Sequence, residues 1–251
     1  MTDWTGLTDS RAGVSPPLVI AAHGTRDPEG PRALAVLADR VREQLPAVGV
    51  HVAYVDVVGP TLHDVLGNLP AAAAAGSPVD AVDAVVLPYF LTSGYHVRVD
   101  VPAAVRGSGI AASVTPALGT SDEVIEAVAE RALEGGFRSG DSVVLAAAGS
   151  ADPDALAEVE QAARALATVL DAVVTTGYAA TATPTVHDAV AAARSADPDN
   201  RVALASYLLA PGLFQQRLDE AAADVVAAPI GSHPRIVDLV VRRYNDAIDV
   251  D

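Results

Sequence analysis

Short apolar blocks alternate along the chain with longer segments in which apolar residues return every three or four positions. The first block, Leu18 to Ala22, is apolar throughout and runs into His23-Gly24, as a strand buried on both faces does where it opens into a loop. Leu34, Leu37, Val41 and Leu45 then keep helical spacing, Pro31 suits a first helical turn, and Pro46 and Gly49 close the helix. His51 to Val57 reads as a second strand with Asp56 at its exit, and Thr61 to Leu69 as a helix with Thr61 as its N-cap. Val82 to Leu87 is a third strand opening into the aromatic-rich loop Pro88 to His96, which marks that loop as the lining of something. A helix from about Val97 to Val105, a strand Ile110 to Thr115, the turn Pro116 to Gly119 and a helix capped by Ser121 and reaching Leu133 complete this half. Glycines in Glu134 to Asp141 stop that helix and make the segment the predicted linker.

The second half repeats the order. Strands are predicted at Val143–Ala147, Ala172–Thr176, Arg201–Ser206 and Val225–Ala228, with helices at Pro153–Leu170, Pro184–Arg194, Phe214–Ala223 and Pro234–Asp246. Matched motifs fix the register: Pro60-Thr-Leu-His-Asp64 answers Pro184-Thr-Val-His-Asp188, Tyr89 to Gly94 answers Tyr207 to Gly212, and Pro116 to Gly119 is echoed by Ala228 to Gly231. A repeat this long is a duplicated domain rather than a solenoid. The predicted fold is α/β: two tandem flavodoxin-like lobes, each a four-stranded parallel sheet flanked by helices, with a cleft between them. Residues 1–16 read as a flexible tail without the apolar region of a signal peptide, 17–135 as the first lobe and 136–251 as the second. In such sheets the loops at the carboxyl ends of the strands form the binding crevice, so His23, Asp56, the Tyr89–His96 loop and Pro116–Gly119 converge.

Composition narrows the chemistry. The chain of 251 residues has no cysteine, which excludes disulfides, thiolate nucleophiles and cysteine metal clusters. All 16 basic residues are arginine, which excludes a Schiff-base or Walker lysine, and Gly24 to Gly30 lacks the spacing of a P-loop. A formal charge of −16 argues against nucleic-acid binding, since the phosphate term would be repulsive. No apolar run reaches the length of a membrane span, and the alanine run Ala71 to Ala75 is short and flanked by Pro70 and Gly76. The expectation is a soluble, cytoplasmic protein without a membrane or nucleic-acid partner, as a monomer or a homo-oligomer.

The candidate chemistry rests on an asymmetry between the halves. His23 meets Ala148 at the corresponding position of the repeat, and His96 meets Phe214. A packing role would be shared by both copies, so two histidines lost together from one lobe point to joint work in the other. Two imidazoles without cysteine suit a divalent metal held transiently with open positions, and near neutral pH they also accept protons. Asp56 is a further candidate ligand, or the carboxylate that orients a histidine, or a plain turn residue. His63 and His187, matched between the lobes, read as packing at helix starts; His51 is structural, and His233 a helix cap. Arg26, Arg98 and Arg106 bracket the two favoured histidines and either meet an anionic ligand or pair with carboxylates; Ser93 and Gly94 offer polar contacts. A phosphatase of the histidine type would want an arginine just before the histidine, where Ala22 stands.

The ordering of Ala22-His-Gly-Thr-Arg-Asp-Pro28, Tyr54-Val-Asp56 before Pro60, and Leu87-Pro-Tyr-Phe-Leu-Thr-Ser-Gly-Tyr-His96 resembles the sirohydrochlorin and cobalt chelatases of the CbiX/SirB type, class II chelatases related to ferrochelatase. The resemblance extends from about Leu18 to Tyr244. It implies ATP-independent insertion of a divalent metal, iron or cobalt and within reach of the same two ligands nickel, into a carboxylated tetrapyrrole held between two lobes, with no organic cofactor. His23 and His96 match the family's paired histidines and would bind the metal and take up pyrrole protons, leaving the second lobe degenerate. Where family members usually carry glutamate this chain has Asp56. Arg26, Tyr89, Phe90, Ser93, Gly94, Tyr95, Arg98 and Leu118 are the residues expected to meet the macrocycle and its carboxylates. A non-catalytic tetrapyrrole or metal carrier would use the same cleft.

Overall fold

The apolar blocks form two four-stranded parallel sheets with the same strand order, second, first, third, fourth. The computed structural model describes residues 15–70 and 82–249. In the first half the elements are β1 (Leu18–Ala22), α1 (Glu29–Gln44), β2 (Val50–Tyr54), α2 (Leu62–Gly67), β3 (Ala84–Pro88), α3 (Val101–Ser108), β4 (Ala112–Val114) and α4 (Asp122–Gly135). The second half contributes β5 (Ser142–Ala147), α5 (Pro153–Leu170), β6 (Val174–Tyr178), α6 (Val186–Ala196), β7 (Val202–Tyr207), α7 (Leu213–Asp219), β8 (Val225–Val226) and α8 (Pro234–Ile248). The alanine run at 71–75 and nearly all of the expected tail lie outside the described residues.

Successive strand residues point to opposite faces, and both faces are apolar here. Leu18, Ile20 and Ala22 share one core cluster with Val143, Leu145 and Ala147 of the other sheet. Val19 and Ala21 turn outward to α2 and α3, while Val144 and Ala146 turn to α6 and α7. The inner faces of the two sheets are therefore joined through a common layer of helices. Within that layer α4 and α8 cross over. Although α4 follows β4 of the first sheet, it packs on β7, β8 and α5; α8 follows β8 of the second sheet and packs on β3 and α1. The two crossing helices are tied by ion pairs from Arg235 to Glu126 and Glu130 and from Arg242 to Glu123.

A tyrosine at the end of each third strand adds to the crossing: Tyr89 donates its hydroxyl to the Gly231 carbonyl (3.3 Å), and Tyr207 donates to the Gly119 carbonyl (3.1 Å). Burial pushes both phenols well above their ordinary range, so both hydroxyls stay protonated as donors.

Local structure departs from expectation at three places. The segment 134–141 runs from the end of α4 to the start of β5, with Gly136 in the left-handed region at φ 103°, and it is anchored. Phe137 is 7% exposed within the shared core, and the Arg138 amide donates to the Asp141 carboxylate. Ser121 stands at the N-cap of α4 without a capping hydrogen bond from its side chain, whereas Thr61, Thr185 and His233 cap α2, α6 and α8 with theirs. The helix expected from Val97 begins instead as a π-helical turn, His96–Asp100, before α3. Among the described residues no helix is long and apolar enough to cross a membrane.

Candidate functional site

The site begins where β1 runs out. His23 follows the last strand residue, and Gly24 takes φ 88°, a conformation open to glycine and strained for side chains. A Cβ at Gly24 would lie 2.4 Å from the Asp56 carbonyl, so the β1 turn and the β2 turn are in direct backbone contact. Asp56 accepts from the Val57 amide (2.7 Å) with one carboxylate oxygen, and its charge acts on His23.

His96 arrives from the third strand. It opens the π-helical turn, and its Nδ1 lies 2.6 Å from Asp100 Oδ2, four residues on. Its ring centroid is 4.6 Å from that of His23, with the planes tilted by 40°. Phe90 stacks on the His96 ring at 6.1 Å, and Tyr95 meets it edge-on at 6.2 Å. With Nδ1 engaged by a carboxylate, Nε2 is the nitrogen left for a ligand.

The electrostatics favour neutral imidazole at His23. Although the ring is reachable from the cleft, withdrawal from bulk water lowers its pKa below the ordinary 6.5, and the neighbouring His96 lowers it further. Asp56 and Asp100 act in the opposite sense and limit the shift. His23 therefore carries a free lone pair at neutral pH. Among the described residues no group of three or more histidine, aspartate or glutamate side chains stands ready to hold a metal. The arrangement is an open pair rather than a closed cage.

His23 borders a cavity of about 680 Å³ formed at the carboxyl ends of the strands of both sheets. Its walls come from the turns after β1 and β5, from the loops after β3 and β7, and from α1 and α5. Of the residues singled out in the sequence, His23, Arg26, Tyr89 and Phe90 line it, with Tyr89 otherwise buried. His96 adjoins it through His23. Ala148 and Phe214, the counterparts of the histidines, line the opposite side, so the two halves face one another across the space.

The remaining expected residues lie elsewhere. Leu118 is 1% exposed and belongs to the shared core, because the turn that carries it packs under the β3 loop, where the Gly119 amide donates to the Phe90 carbonyl. Arg98 turns away to pair with Asp152 and Asp154 of the second lobe. Ser93 gives its amide to Glu158 (2.6 Å), and the Gly94 carbonyl accepts from the amides of Val97 and Arg98. Tyr95 is 64% exposed beside His96. His233 caps α8 through Nδ1 and faces Glu130 with Nε2 (3.1 Å). His63 stands exposed beside its own Asp64.

Asp100 and Glu158 are the polar residues near the site that the sequence reading passed over. Asp100 carried a signal, since a carboxylate four residues after His96 shares its helical face. Glu158 carried none, because its contact spans 65 positions.

Comparison with known proteins agrees with this architecture. The family described as CbiX matches residues 17–135 and 142–247, and the chain belongs to that family. Among solved structures it is similar to SirB from Bacillus subtilis with Fe3+, at TM-score 0.75 and 19% identity over 94% of this chain and 96% of that one. Sirohydrochlorin chelatase SirB from Bacillus subtilis subspecies spizizenii in complex with cobalt gives TM-score 0.71 and 20% identity over 94% and 97%. CbiX, described as the terminal enzyme for biosynthesis of siroheme in denitrifying bacteria, gives 0.64 and 21% over 92% and 99%. These likenesses establish the two-lobed α/β fold. No curated protein matches the chain.

Proposed function

We propose that the protein is a chelatase that inserts a divalent metal, iron or cobalt, into sirohydrochlorin or a related carboxylated tetrapyrrole. The observation that carries this reading is the pair His23 and His96, 4.6 Å apart beside a cavity walled by two lobes, with alanine and phenylalanine at the corresponding places of the other lobe. Membership of the CbiX family and the iron- and cobalt-containing SirB structures support it.

The reaction exchanges two pyrrole N–H protons for one dipositive metal, so a catalyst must present a poorly hydrated metal and receive protons. The free nitrogens of His23 and His96 supply the first need, and an incomplete ligand set keeps the metal transferable to the four ring nitrogens. The neutral imidazole of His23, beside His96 with Asp100 on its Nδ1, supplies the second. A macrocycle lying in the cavity meets apolar side chains from Phe90, Leu156, Val159 and Leu209 and sheds water from its faces. Arg26 at the wall is positioned to meet a substrate carboxylate. No step calls for a nucleotide, in keeping with a chain that has neither a P-loop nor a lysine.

The test is an anaerobic absorbance assay of sirohydrochlorin with ferrous or cobaltous ion, comparing wild type with His23→Ala and His96→Ala. Multiple turnovers above the spontaneous rate, lost in both variants while fold and macrocycle binding persist, are the expected result. Tight macrocycle binding without turnover would make the protein a carrier, and neither binding nor turnover would remove the tetrapyrrole reading.

A further inference from the structure

Resting on the chelatase reading, we propose that the lobe without histidines sets the position of His96 for metal uptake, through a clamp of α5 carboxylates on the segment Leu91–Arg98. Three contacts grip that segment from the second lobe. The Tyr207 hydroxyl, shared with the Gly119 carbonyl, reaches the Leu91 carbonyl (3.3 Å), the Ser93 amide donates to Glu158 Oε2 (2.6 Å), and the Arg98 guanidinium pairs with Asp154 (2.9 Å) and Asp152. Ser93 lies three residues before His96 and Arg98 two after it, so the ring that faces His23 is held from both sides.

The clamp is as one-sided as the histidines. Asp27-Pro28 after β1 aligns with Asp152-Pro153 after β5, which places Ala33 opposite Glu158. Tyr89 to Gly94 aligns with Tyr207 to Gly212, which places Pro211 opposite Ser93 and Gln216 opposite Arg98. Ala33 has no carboxylate, Pro211 has no amide hydrogen to give, and Gln216 has no charge. Asp152 and Tyr207 do have like-for-like counterparts, Asp27 and Tyr89, and Asp154 answers to Glu29. Asp27 and Asp152 even use one oxygen alike to accept the amide two residues on, yet Glu29 pairs with Arg32 of its own helix. A generic lobe interface would be built alike in both directions. Among the described residues of these matched loops, the extra polar contacts are made to the segment that carries the second histidine.

The two parts of the clamp differ in weight. The Arg98 pairs are solvent-exposed, where ion pairs contribute little singly. The Glu158–Ser93 bond is charge-assisted, half-buried and fixed to backbone, so it governs where the segment sits. Glu158 is therefore a positioning residue that reaches the metal site only through His96, in the manner of outer partners that orient metal ligands.

The experiment titrates metal-free protein with Co2+ under anaerobic conditions, reading the visible ligand-field spectrum, and follows amide hydrogen exchange over 91–98. Wild type, Glu158→Ala, Glu158→Gln and His96→Ala are compared, with Tm recorded for each. Glu158→Ala is expected to weaken cobalt binding about tenfold or more, to alter the spectrum and to speed exchange over 91–98, with Tm close to wild type. Glu158→Gln keeps an oxygen acceptor for the Ser93 amide and is expected to recover most of the affinity. Wild-type affinity and spectrum in Glu158→Ala would overturn the clamp, as would equal losses in the Ala and Gln variants that track a lowered Tm. A wild type that binds cobalt no better than His96→Ala would instead overturn the chelatase reading, and the purpose of the clamp with it.

Discussion

The turn after β1 and the turn after β5 have the same backbone and different side chains. Both place a glycine at positive φ, Gly24 at 88° and Gly149 at 94°, against a carbonyl of the turn after the neighbouring strand. The first offers His23, Asp56 and, from the third loop, His96 with Asp100; the second has Ala148, Ala180, Phe214 and Leu218 in the same places. The backbone that aims the loops at the cavity has been kept in both halves because both sheets need it to close. Side chains that would handle a metal stand in one half alone. The lobe without them still supplies cavity wall and, in our proposal, the grip on His96.

Substitutions that make the first lobe copy the second should have the largest effect. His23→Ala and His96→Phe are each expected to slow metal insertion about 100-fold or more while the circular dichroism spectrum is unchanged. Full activity in either would mean that the difference between the lobes is incidental. Next, the backbone shared by both lobes should matter even where no chemistry remains. In Gly149→Ala the new Cβ would meet the Ala180 carbonyl at 1.9 Å, so a loss on the order of 2 kcal/mol or more in urea unfolding is expected.

A smaller effect belongs to Asp56→Asn. Asp56 holds the pKa of His23 up against desolvation, so its removal should move the acid limb of cobalt binding to lower pH; a shift to higher pH would contradict the placement. The smallest concerns the caps of the crossing helices, where Ser121 and His233 occupy matched positions. Burial and then Arg131 lower the pKa of His233 below 6.5, with Glu130 and Glu134 opposing and Arg235 adding to the lowering. The unfolded chain therefore binds this proton more readily, and stability should fall as pH drops from 6.5 toward the folded value. In His233→Asn, which keeps a capping acceptor, that part of the pH dependence should vanish from the urea midpoint.

Much of this could be read from residue order. The apolar blocks gave the strands, the motif pairs gave the duplication, and the one-sided loss of His23 and His96 gave the pair whose rings meet in the structure. What stayed hidden is long-range. Nothing local in Asp122 to Gly135 tells which sheet its apolar stripe will cover, since the stripe records only that something apolar is there. Arg98 reads as a free cation near a histidine until the fold brings Asp152 and Asp154 alongside. Leu118 follows a strand end as binding residues do, yet its turn is folded beneath the β3 loop. Local patterns fix an element and its exits; partners tens of residues away decide which exits stay open.

The crossing of α4 and α8 gives the molecule the topology of a domain-swapped dimer carried on one chain. Cut between Gly136 and Asp141, each piece would keep a sheet and surrender the helix that covers it. Two identical pieces assembled this way would be obliged to carry both histidine pairs or neither. Tied end to end, the halves are paired permanently and free to differ, so one can lose its ligands and become the jaw against which the other works.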